Sequence, residues 1–233
     1  GDVRFEDRSD GMSLIALQGP LAPGLLAPLT DVPLDGMASY TFKTGTVCGI
    51  PDVIVSATGY TGENGFELYI DHAQGDPGAV WDALLAAGAE PAGLGARDTL
   101  RLEMGYALYG NDLSETVTPL EGRLGWLTKL GKGAFIGREA LLHQKEEGVP
   151  RKLVGFVMAQ ERALPRHGYA IEDAEGNGIG EVTSGSLSIS TGKGIGMGLV
   201  QAAHAGTGGE LFIRIRNQAV PAVVTQPPFL HTN

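Results

Sequence analysis

Residues 53–71 constrain the fold more than any other stretch of the chain. Val53 to Val55 is an apolar run with the character of a buried strand. Gly59, Gly62 and Gly65 then crowd three glycines into seven residues. Glycine admits positive φ and lets another backbone approach closely, so this is a tight turn. Beyond it, Phe66, Leu68 and Ile70 alternate with Glu67, Tyr69 and Asp71, the period of a strand with one buried face. Strand, glycine turn and strand imply an antiparallel pair, with Glu67 just past the turn.

A second Gly-rich stretch, Pro91 to Glu103, leads into a helix expected from Arg97 through Met104. Arg97 is expected at the loop–helix junction. Asp98 is expected in the first turn, where a carboxylate complements the helix dipole. Taken singly, the turn is an ordinary hairpin and Arg97-Asp98 an ordinary solvated helix end.

Elsewhere in the first 148 residues the pattern is mixed. Ser13 to Leu17 is a short apolar strand. Pro20 to Leu29 suggests a helix with Leu25 and Leu29 on one face, and Thr41 to Ile50 a strand–turn–strand with Gly45 in the turn. Asp76 to Gly88 is the clearest helix. Asp76 can cap it, Pro77 suits its first position, Val80, Leu84 and Leu85 form the core face, and Gly88 can end it. Another helix is expected from Arg138 to Glu147, stopped by Gly148.

After Pro150 the pattern changes to six short strands: Leu153 to Met158, Ala170 to Glu172, Gly178 to Thr183, Ile195 to Val200, Leu211 to Ile215 and Val220 to Val224. Pro221 is expected to keep the last at an edge. Charge changes at the same place. Residues 1–148 hold 10 Lys and Arg against 21 Asp and Glu, whereas residues 149–233 hold 7 against 6. The expected organisation is therefore α+β. A mixed α/antiparallel-β region at 1–148 is followed by a small antiparallel β-barrel at 149–233.

Composition excludes several classes. A net charge of −10 argues against a nucleic-acid surface, which needs clustered Lys and Arg. No apolar run reaches transmembrane length. Cys48 is the one cysteine, which implies a reducing compartment and a small buried thiol. The histidines at 72, 143, 167, 204 and 231 lack ligand spacing, so no metal site is expected. Gly192 to Gly198 matches a dinucleotide loop only with slippage and leads into a strand, so it is expected to be a hairpin turn. Trp81 and Trp126 could serve a carbohydrate-binding domain as stacking platforms, but both lie among packing signals, and core roles are expected.

Taken together, the motifs are specific. GYTGExGxE at 59–67, GLGARDxLRLExG at 93–105, LYGND at 108–112, TPLE at 118–121, Gly125-Trp126 and FIGRE at 135–139 resemble the aminomethyltransferase family. This is the T protein of the glycine cleavage system and its tetrahydrofolate-dependent relatives. The resemblance runs from ALQGP at 16–20 to VTSG at 182–185 and beyond. It implies transfer of a methylene carbon from an aminomethyl-lipoyl carrier (H) protein to tetrahydrofolate, with release of ammonia. Non-catalytic folate-binding modules and folate-dependent demethylases are the alternatives.

By the same resemblance, Glu67 matches the carboxylate that grips the pterin ring. Tyr60 and Arg97 match pocket residues, and Tyr106 an aromatic wall. Glu63 either faces the ligand or holds the turn. Arg101 and Glu103 are expected to be structural ion-pair partners. The resemblance also implies a missing N-terminal portion that carries the family's proton-handling aspartate. No catalytic residue is then assignable, and this chain alone is expected to be inactive. The implied location is cytoplasmic, or the mitochondrial matrix for a eukaryotic source, with any targeting segment upstream of Gly1.

Overall fold

The structure, a computed structural model, describes residues 2–230; His231 lies outside the described residues. Two compact units comprise residues 1–97 and 98–233.

The first unit is built on a four-stranded antiparallel sheet. Its strands are β1 (Met12–Gln18), β2 (Phe42–Val47), β3 (Ile50–Ser56) and β4 (Gly65–Asp71), in the order β1-β4-β3-β2. The alternation read from the sequence holds. Phe66, Leu68 and Ile70 of β4 are buried with Val53 and Val55 of β3 and Leu17 of β1. The helices α1 (Ala22–Leu26) and α2 (Pro77–Ala86) contribute Ala22, Leu26, Val80 and Leu84 to the same core. The Asp76 carboxylate caps α2 by accepting from the Gly78 amide at 2.9 Å, and Gly88 leaves the helix at φ 107°.

Two local expectations fail here. Helix α1 is a single short piece followed by a 3-10 turn at Ala27–Leu29. Pro28 has no amide to donate and its ring opposes a longer α-helix. The turn between β2 and β3 is Cys48-Gly49, not Gly45. Cys48 at φ 50° and Gly49 at φ 80° form a two-residue hairpin loop that follows the strand twist. Cys48 is therefore only half-buried, though burial still pushes its thiol pKa up. Gly45 lies within β2, where a Cβ would stand 2.4 Å from Val32 Cγ2.

Helix α3 (Leu94–Glu103) begins three residues earlier than expected, because the Gly93 carbonyl accepts from the Ala96 and Arg97 amides. Arg97 thus lies inside the helix. Asp98 lies beyond the first turn and instead accepts from Arg101.

The second unit contains α4 (Arg138–Glu147) and a closed six-stranded antiparallel barrel. The barrel strands are β5 (Arg151–Met158), β6 (Ala170–Glu172), β7 (Gly178–Leu187), β8 (Gly194–Gln201), β9 (Glu210–Ile215) and β10 (Gln218–Thr225), closing in the order β10-β5-β8-β7-β6-β9. Closure leaves no edge, so Pro221 is not at one. Its carbonyl accepts from the Ala159 amide just past the end of β5, and its missing N–H points the same way, beyond the last rung of that ladder. Of the expected glycine turn, Gly192 lies in the loop, while Gly194, Gly196 and Gly198 lie in β8. A Cβ on Gly196 would stand 2.4 Å from the Phe156 ring, and one on Gly194 would stand 2.1 Å from the Ala163 carbonyl.

Arg101 is 1% exposed, and all five of its N–H donors are used. Nε and Nη2 donate to Asp98 at 2.8 and 2.6 Å. Nη1 donates to Asp112 at 2.7 Å and to the Tyr106 carbonyl, and Nη2 also reaches Ser184. Asp112 is fully buried and accepts further bonds from Thr183, Ser184 and the Leu108 amide. Arg101 is thus an ion-pair residue as expected. Glu103 is not: its buried carboxylate accepts from the hydroxyls of Ser188 and Ser190 and from the Ser190 amide. Trp81 and Trp126 are 42% and 72% exposed, so neither has the expected core role.

TPLE at 118–121 is a capping box. The Thr118 amide donates to Glu121 at 2.8 Å, and the Glu121 amide donates back to the Thr118 hydroxyl. Burial pushes the Glu121 carboxyl pKa up, but the Thr118 amide and Arg151 outweigh it and hold it below 4.5. Among the described residues, no helix is long and apolar enough to cross a membrane.

Two expected outcomes follow from these buried charges. Asp112→Ala strands the Arg101 guanidinium and should cost about 3–5 kcal/mol. Arg4→Ala, at an exposed ion pair, should cost less than about 0.5 kcal/mol. Urea titrations that rank the two equally would contradict the role given to Asp112. For Glu121, a depressed folded-state pKa means stabilisation that is present above 4.5 and lost as pH falls through the folded value. Glu121→Gln should therefore show a shallower acid dependence of its urea midpoint than the parent chain.

Candidate functional site

The site in the first unit is built where β1, β3 and β4 end together. Ala16, Glu67 and Ser56 share one register line across the three strands. Because Phe66 and Leu68 turn into the core, Glu67 projects from the opposite face, where it is half-buried. Residues 57–64 then connect β3 to β4 and cross the sheet end.

Gln18 ties that connection down. Its Nε2 donates to the carbonyls of Leu17, Thr58 and Phe66, and its Oε1 accepts from the Thr61 hydroxyl at 3.1 Å. Gly59 and Gly65 make room for this amide. A Cβ on Gly59 would fall 1.9 Å from Gln18 Oε1, and one on Gly65 would meet both Gln18 and the Leu17 carbonyl. The Asn64 carbonyl accepts from the Gly19 amide and closes the loop.

Held in this way, Thr58 turns its hydroxyl onto Glu67 Oε2, and Ser56 Oγ lies 3.0 Å from the same hydroxyl. An ionised carboxylate only accepts, and Thr58 has one proton to give. The chain of bonds therefore runs from Ser56 to Thr58 to Glu67. Burial and then the Glu67 charge push the neighbouring Tyr69 phenol pKa up. Two residues along the loop from Thr58, the Tyr60 ring carries the Arg97 guanidinium 4.8 Å from its centroid. This is a cation–π stack.

The structure thus brings Tyr60 and Arg97 together and sets Glu67 on the strand that follows the same loop. Tyr106 lies in the second unit, 37% exposed, with its carbonyl accepting from Arg101. Glu63 is exposed. Its amide is held by Thr61, and no hydrogen bond of its side chain holds the turn among the described residues.

Residues 1–132 match the family model described as the GCVT N-terminal domain. Residues 151–231 match the glycine cleavage T-protein C-terminal barrel domain. The chain belongs to the glycine cleavage T-protein family. It is 51% identical over 232 residues to an aminomethyltransferase of Phocaeicola vulgatus, covering 97% of this chain and 63% of the relative. It is 50% identical over 228 residues to an aminomethyltransferase of Halothermothrix orenii, covering 96% of this chain and 62% of the relative. The chain thus spans about three-fifths of the length of such relatives. Among solved structures, it resembles glycine cleavage system aminomethyltransferase T from Bartonella henselae. The TM-score is 0.85 at 33% identity, covering 94% of this chain and 60% of that one.

For this T-protein family chain, the residues that sequence reasoning missed are Gln18, Ser56 and Thr58. Gln18 lies in the ALQGP stretch, and Ser56 and Thr58 lie just before the glycine motif at 59–67. Their roles depend on strand register, which no local pattern reveals.

Thr58→Val keeps the shape of the side chain and removes the donor to Glu67. It should lower stability by about 1–2 kcal/mol, whereas Thr58→Ser should stay close to the parent. Urea titration separates the two. Equal stability of the valine and serine variants would remove Thr58 from the arrangement.

Proposed function

We propose that the chain carries part of a tetrahydrofolate-dependent aminomethyltransferase of the glycine cleavage system. The reaction moves a methylene carbon from an aminomethylated lipoyl carrier (H) protein to tetrahydrofolate and releases ammonia. The observation that carries this reading is the half-buried Glu67 carboxylate, fixed by Thr58 on the face of the sheet opposite the core, with the loop that supplies Thr58 also supplying Tyr60 to the stack on Arg97.

The residues present fit the folate. A 2-aminopyrimidinone edge offers two parallel N–H donors, which a carboxylate matches best among the side chains. Each carboxylate oxygen has two acceptor positions, so Thr58 leaves Glu67 able to take both. When bound, tetrahydrofolate supplies the nitrogen nucleophiles that accept the carbon. Glu67 sets the orientation of the ring edge, while Tyr60 and Arg97 offer a flat, cationic surface. Tyr106 is assigned to folate binding by its motif position alone. The names of the relatives support the transfer chemistry.

We also place the boundary between the two family domains at 148/149. Helix α4 ends at Glu147 and is capped by Gly148, β5 opens at Arg151, and the barrel family model begins at residue 151.

Glu67→Ala should weaken tetrahydrofolate binding by roughly 30- to 150-fold, the loss of a charge-assisted contact of about 2–3 kcal/mol. Glu63→Ala should change it only slightly. Calorimetric titration gives both affinities, and equal affinity for the parent and Glu67→Ala would sink the assignment.

A further inference from the structure

The second unit holds a cavity of about 410 Å³ between the capping-box turn and the barrel strands β5 and β10. Its size falls within the range of small-molecule sites. Leu120, Val154, Val224 and Ala205 give it an apolar wall, and Arg123 and Lys152 give it two cations. Glu121 also lines it, but its carboxylate is engaged by Arg151 at 2.7 Å and by the Thr118 amide.

Arg123 occupies an unusual position. The turn opened by the Thr118–Glu121 box closes when the Leu124 amide donates to the Pro119 carbonyl at 2.8 Å. That six-to-one bond places residue 123 where a helix end ordinarily has glycine. Arg123 adopts φ 63° there, a region that disfavours any side chain with a Cβ. Among the described residues, its guanidinium makes no hydrogen bond or ion pair, and burial lowers its pKa. Lys152 likewise has no ion-pair partner among the described residues. A strained, partly desolvated and unpartnered arginine is costly to the fold alone and useful to an anion. It is the more conspicuous in a chain of net charge −10.

We propose that this cavity binds a small organic anion, with a carboxylate or phosphate head on Arg123 and Lys152 and a hydrocarbon body against Leu120, Val154 and Val224. The site lies wholly in the second unit and is independent of the folate reading.

The test measures thermal unfolding of the chain at constant ionic strength with succinate, with propyl phosphate and with neutral succinamide, followed by calorimetry with the better anion. A rise in Tm with succinate identifies a carboxylate head, and a rise with propyl phosphate a phosphate head. Succinamide should give none. Arg123→Gly should weaken binding by about tenfold or more without lowering the ligand-free Tm, since glycine accepts the left-handed backbone. Arg123→Gln should weaken it similarly, and Lys152→Ala less. No response to either anion, an equal response to succinamide, or unchanged binding in Arg123→Gly would overturn the proposal. A fall in the ligand-free Tm of Arg123→Gly would overturn it too, by showing that the arginine serves the fold.

Discussion

A loop that crosses the end of a sheet has no ladder partner, yet its carbonyls and amides still need hydrogen bonds. In the first unit one side-chain amide meets that demand. Gln18 takes three carbonyls from two strands and the crossing loop, and gives its own oxygen to Thr61. The glycines of the motif follow from this. Gly59 and Gly65 are where the amide needs space, so the spacing read from the sequence as a tight turn is also the imprint of a side chain 41 to 47 positions earlier. Everything proposed for Glu67, Tyr60 and Thr58 depends on that loop keeping its shape.

The second unit solves a related problem with charges. Arg101 is buried at the end of α3, and a buried guanidinium is tolerated only when every donor is met. Two aspartates, a serine and a backbone carbonyl meet them. Asp112 and Ser184 come from the LYGND and VTSG motifs, more than 70 residues apart. Glu103 is handled without a cation, by two hydroxyls and an amide. Motifs that look like active-site signatures in one dimension are, in this unit, the partners of a buried charge network.

Elements with a clear period were legible in the sequence. The β3–β4 pair follows from alternation of Phe66, Leu68 and Ile70, and α2 from Asp76, Pro77 and Gly88. The barrel was legible because its strands are short and separated by turn residues. Positions decided by backbone conformation or by partners distant in sequence were not. Cys48, not Gly45, takes the left-handed turn, while Gly45 lies within β2 against Val32. Pro221 looked like an edge residue, but one missing N–H is harmless where the neighbouring strand has already ended. Arg97 and Asp98 fell inside α3 because Gly93, which has no capping side chain, starts the helix through its carbonyl. Of the candidate site, Glu67, Tyr60 and Arg97 are candidates by motif, whereas Ser56 and Thr58 needed the register Ala16–Glu67–Ser56 to acquire meaning.

Glu63 and Glu67 stand four residues apart in one motif and carry the same charge, so charge cannot distinguish them. Their surroundings do. Glu63 is exposed, and no hydrogen bond holds its side chain among the described residues. Glu67 springs from a strand, is half-covered by its neighbours, and accepts from a hydroxyl that is itself in contact with a second one. Binding costs less when the recognising group is already in place, because the entropy of ordering it has been lost on folding. A long carboxylate side chain gives up on the order of 1.5 kcal/mol of rotamer freedom when fixed. That is about the worth of one charge-assisted hydrogen bond. The chain meets this cost at Glu67 and not at Glu63, so of the two motif carboxylates Glu67 is the one for which the proposed contact with a paired donor costs less.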